Sequence, residues 1–128
     1  MRGCKPVIVA ILISIMLAAI AGCSNSEEMP ITLEQLNNTI KGMEEVVELT
    51  EAGKVHEGET IFWQVHPFFH EADPYLRKAD PEFAQEIWDN VLRIEFEYFR
   101  RKSQPALIKE GLLNLELLPK VRTVLNLK

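Results

Sequence analysis

The three histidines of this 128-residue chain, His56, His66 and His70, all fall in one stretch, and two of them bracket the run "HPFFH" at 66–70. Read as a helix, His56, Glu59, Trp63, His66, His70 and Asp73 follow gaps of three and four, which puts them on one stripe. His66 and His70 are one turn apart, so their rings can approach a common point. A pair of imidazoles at that spacing suits a divalent transition metal such as iron, copper or zinc. Glu71 is the nearest carboxylate in sequence, and Glu59 or Asp73 also shares the stripe. Two other readings stay open: a polar flank of a packed helix that holds no ligand, and a pH-sensitive interface built on imidazole. Pro67 sits between the two histidines. Its ring and missing N–H predict a kink, which either frees a carbonyl or splays the rings.

A second carboxylate stands out. Glu95, in "RIEFEYFRR", falls between Val91 and Tyr98 and close to Trp88 and Phe99, on or beside an apolar stripe. A carboxylate placed there needs a partner, because burying an unpaired charge is costly. Arg93 or Arg122 could pair with it, or it could reach water. If it faces the histidine helix, it completes a His/His/carboxylate set, since bundle metal sites are built from side chains on facing helices. The candidate ligands are therefore His66 and His70, with Glu71 or Glu95 as oxygen donor.

Other chemistry is missing from the sequence. There is no nucleophile–base set, no glycine-rich phosphate loop and no His-Glu-x-x-His, so an enzyme is not expected. The formal net charge is −5, and removing a leader that carries Arg2, Lys5 and no acid lowers it to −7. An acidic domain with no basic stripe is not a nucleic-acid binder. The two cysteines, Cys4 and Cys23, lie in or beside the leader, so the body has neither disulfide nor thiolate chemistry.

The elements that must position these residues are four helices. Leu33, Leu36, Ile40, Met43 and Val47 make one apolar stripe, opened by Thr32 and Gln35 in capping-box spacing and closed near Gly53. Val55, Gly58, Phe62, Val65, Phe69, Ala72, Leu76 and Ala79 carry the same period over 54–78, unless Asp73-Pro74 stops that helix early. Asp80-Pro81-Glu82 is a helix start. It leads Phe83, Ile87, Val91, Ile94 and Tyr98, with Trp88, Leu92 and Phe99 widening the stripe up to Arg100-Arg101-Lys102. Ser103 or Gln104 before Pro105 opens the last helix, whose expected core is Leu107, Gly111, Leu112, Leu115, Leu118, Val121 and Leu125. Short links between four amphipathic helices predict an all-α, antiparallel up-down-up-down four-helix bundle over 32–128.

The N-terminus reads as a targeting segment. Arg2 and Lys5 precede an apolar run over 7–21, followed by small residues. The end of that run, Ile20-Ala21-Gly22-Cys23, resembles the lipobox of bacterial lipoproteins. The resemblance implies a signal peptide at 1–22, cleavage before Cys23 and diacylglycerol on the Cys23 thiol. Two acyl chains give stable anchoring. Residues 23–31 then form a short polar tether. The implied place is the cell envelope, on the extracytoplasmic side of a bacterial membrane, with the bilayer and an envelope protein as partners.

The body, "EAGKVHEGETIFWQVHPFFHEADPYLRKADPEFAQEIWDNVLRIEFEYF", resembles the extracytoplasmic helical domain associated with bacterial high-affinity iron permeases. The likeness rests on Glu51-Ala52-Gly53, Phe68-Phe69-His70-Glu71, Asp80-Pro81 and Glu95 and covers about half of the chain after the leader. It implies helical hairpins and metal handling. No permease membrane helices and no Arg-Glu-x-x-Glu motif are present, so transport itself is not implied. The alternative function is a structural or protein-interaction lipoprotein that uses Trp63, Tyr75 or the basic end of the third helix.

Overall fold

A computed structural model describes residues 28–128. The expected signal peptide, Cys23 and the first part of the tether lie outside the described residues. Four helices follow one another: α1 (Leu33–Glu51), α2 (Val55–Ala79), α3 (Pro81–Phe96) and α4 (Gln104–Val124), with a π-helical turn at Glu97–Arg101 extending α3. Among the described residues there is no strand.

Each helix starts and stops for a local reason. Thr32 caps α1 with the reciprocal Thr32/Gln35 capping box. Ile31, just before the cap, and Leu36 are both buried in the core, in the positions of a hydrophobic staple. At the far end, Gly53 takes φ +78°, and the amides of Gly53 and Lys54 donate to the carbonyls of Thr50 and Leu49. That is a Schellman closure, which needs a residue tolerant of left-handed backbone. Asp80 is at once the end of α2 and the cap of α3: its carboxylate accepts the Phe83 amide at 3.0 Å. Ser103 caps α4. Helix α2 runs unbroken through Pro67 and Pro74 to Ala79, so the early stop at Pro74 does not occur.

The helices form a ring in which α1 packs on α2 and α4, and α3 packs on the same two. Contacts between neighbours pair rising with falling residue numbers. Gly42 meets Val65 while Gly58 meets Thr50, and Gly111 meets Val47 while Gln104 bonds the Thr50 carbonyl. His66 pairs with Glu95 while Arg77 reaches Gln85, and Asn90 bonds Asn114 while Arg93 bonds Glu110. Adjacent helices are therefore antiparallel, and the chain is a four-helix bundle. Its core includes Leu36, Met43, Phe62, Leu76, Val91, Ile94, Tyr98, Leu118 and Val121.

Three expected core leucine and phenylalanine positions are on the surface instead. Leu92 is 43% exposed, Leu112 51% and Phe99 70%. In α4 the apolar residues are so numerous that the sequence does not single out one face; the structure buries Asn114 and Leu117 and turns Leu112 out. Phe99 lies one residue, about 100°, round from buried Tyr98, and its ring packs against Trp63 at the surface of the α2/α3 groove.

Candidate metal site

The antiparallel α2/α3 pair, joined only through Asp80, brings the histidine stripe of α2 against the Glu95 face of α3. His66 Nε2 and Glu95 Oε1 are 2.5 Å apart, with both side chains mostly covered. His70, one turn along, is exposed, and its ring lies 4.7 Å from that of His66 at 71°. One donor atom from each of His66, His70 and Glu95 lies within 4.8 Å of the others.

Aromatic rings pack against the two imidazoles. Phe99, Trp63, His66, His70 and Trp88 form a ladder along the α2/α3 groove, with centroid steps of 5.3, 4.8, 4.7 and 5.0 Å. Phe62, fully buried, touches Trp63, His66 and Tyr98 from below. Burial pushes the Tyr98 phenol up to about 12; the Thr50 hydroxyl opposes that shift and the Glu59 charge adds to it. The Thr50 hydroxyl itself donates to the Val46 carbonyl at 2.6 Å.

Two imidazoles and one carboxylate make a donor set that suits zinc or ferrous iron with open coordination positions. Donors around one tetrahedral ion with bonds of ~2.0–2.2 Å lie roughly 3.3 Å apart. Coordination therefore asks His70, exposed but packed against His66 and Trp88, to shift inward by up to about 1.5 Å. The His66–Glu95 contact is shorter than two ligands of one ion would be and is a hydrogen bond. A metal that takes this nitrogen displaces that hydrogen bond.

The other expected residues fall elsewhere. Glu71 is exposed and lines a different groove, between α1 and α2, with Gln35, Asn38 and Thr39. One residue beyond His70 means about 100° around the helix, so Glu71 points away from the cluster. His56 is 89% exposed and sits 3.8 Å from Glu59, which also reaches Lys102 at 3.4 Å. Asp73 pairs with Arg77 at 2.8 Å. Arg93, an expected partner for Glu95, bonds Glu110 instead.

Sequence reasoning missed a buried polar network on the α3/α4 side. Asn90 Nδ2 donates to the Glu110 carbonyl at 2.9 Å and to Glu110 Oε2 at 3.0 Å. Asn114 Nδ2 donates to Asn90 Oδ1 at 2.7 Å, and Arg93 Nε donates to Glu110 Oε2 at 3.0 Å. Asn90 and Asn114 are fully buried. The available signal was an asparagine in register with each apolar stripe: Asn90 next to Val91, and Asn114 three residues after Gly111 and four before Leu118. Compared with known proteins, the chain matches no family model, no curated protein and no solved structure.

Proposed function

We propose that this chain is an extracytoplasmic lipoprotein, anchored through Cys23, whose bundle captures a divalent transition metal (iron, copper or zinc) for uptake or sensing. The observation that supports metal capture most is the convergence of His66 and His70 from one helix with Glu95 from the next. The lipid anchor is supported by the sequence Ile20-Ala21-Gly22-Cys23. Ligation needs neutral imidazole, so protons compete with the metal and affinity falls on acidification.

Calorimetric titration of the detergent-solubilised chain with zinc, copper and iron tests the metal site. His66→Ala/His70→Ala abolishes binding, whereas His56→Ala and Glu71→Gln leave it near the original affinity. Equal weak binding by the original chain and the double variant overturns the reading. For the anchor, Cys23→Ser loses fatty-acid labelling and membrane attachment; a variant that keeps both refutes it. A second reading, a protein-interaction lipoprotein, is favoured by the exposure of Phe99 beside Trp63.

A further inference from the structure

The outward face of α3 has a composition that a solvated helix does not need. Leu92 is 43% and Phe96 47% exposed, one turn apart, with the Arg101 guanidinium 5.4 Å from the Phe96 ring centre. The charges on the same exposed surface are segregated along the axis. Glu82, Glu86 and Asp89 occupy its first half, and Arg93, Arg100 and Arg101 its second. Among the described residues, Glu86 and Arg100 take part in no ion pair.

We propose that α3 docks on α3 of a second copy of this chain, antiparallel, about a two-fold axis near Arg93–Glu95. An acidic half followed by a basic half is self-complementary only when the second helix runs the other way. With the axis there, Leu92 rests on the partner's Phe96 and Phe96 on the partner's Leu92. Glu86 and Asp89 come within reach of the partner's Arg100 and Arg101. The apolar pair supplies the centre of the interface and the charges its rim, the usual anatomy of a specific contact. The interface does not need the metal, and it leaves the histidines of α2 in the neighbouring groove.

Charge exchange tests this on the full chain in density-matched detergent, by sedimentation equilibrium. The original chain dimerises. Glu86→Arg and Arg100→Glu each weaken the dimer at least about tenfold, and the double variant Glu86→Arg/Arg100→Glu restores it, because each new charge meets its opposite on the other copy. Phe96→Ser weakens it with no loss of helical circular dichroism, since the side chain lies on the surface. A chain that is monomeric at every loading overturns the proposal. So does a double variant that dissociates as readily as the two single ones combined. A monomer that binds phosphatidylglycerol vesicles through Phe96 and Arg100 would also overturn it, with lipid as the occupant of this face.

Discussion

Asn90→Ala should be among the most damaging single changes outside the apolar core. Asn90 has no exposed surface and joins three groups: it donates to the Glu110 carbonyl and carboxylate, and it accepts from Asn114. Truncation leaves Asn114 Nδ2 without its acceptor. The other amide atom, Asn114 Oδ1, already has no protein partner, so the whole buried amide is stranded. An orphaned buried polar group costs about 1–3 kcal/mol, and the loss of a donor to the Glu110 carboxylate adds roughly 1 kcal/mol. The expected sum is about 2–4 kcal/mol. For a domain of this size each kcal/mol lowers Tm by ~4–8 °C, so the fall should be at least ~8 °C. Urea unfolding followed by circular dichroism measures it. Asn90→Leu/Asn114→Leu removes both amides and should recover most of the loss, leaving about 1 kcal/mol for the donor that Glu110 still lacks. An Asn90→Ala loss below ~0.5 kcal/mol refutes the network as a source of stability. So does a double change whose cost is the sum of its parts.

Two more outcomes follow from other contacts. Because burial raises the Tyr98 phenol from 10.0 to about 12, the unfolded chain releases this proton first, so stability falls as pH rises from about 10 to about 12; the loss is at most ~2.7 kcal/mol, and Tyr98→Phe should remove it from an alkaline unfolding series. Gly111→Ala gains ~1 kcal/mol in helix propensity, but its Cβ would lie 2.7 Å from Val47 Cγ2, and a β-branched neighbour gives way poorly. The net effect should be a loss of up to ~2 kcal/mol by thermal unfolding, largely relieved by Val47→Ala.

Capping residues were the most legible part of this chain, because their chemistry is local. Thr32 with Gln35, Gly53, Asp80 with Pro81, and Ser103 each act within a few residues of themselves, and each sits where its composition implies. The stripes of α1 and α2 were legible for the same reason. Partner choice was not. Whether Glu95 meets Arg93, Arg122 or His66 depends on how α3 is rotated against α2, and no residue spacing within α3 encodes that. The π turn was equally hidden: nothing in "EYFRR" announces i→i+5 bonding. In α4, apolar residues surround the helix so evenly that Asn90 across the interface, rather than hydropathy, marks Asn114 as inward.

The single-residue joint at Asp80 turns α2 and α3 into a pair of tweezers. His66 lies fourteen residues before the joint and Glu95 fifteen after it, so the two jaws have nearly equal arms of about 21 and 23 Å at 1.5 Å per residue. With arms that long, opening the hairpin by one degree moves the tips apart by roughly 0.4 Å. The His66–Glu95 separation of 2.5 Å is about 0.8 Å short of the roughly 3.3 Å between two ligands of one tetrahedral ion, a gap that an opening of only about two degrees at the pivot supplies. Any force that alters the splay of this hairpin, from either end, is read out at His66 and Glu95 with that leverage.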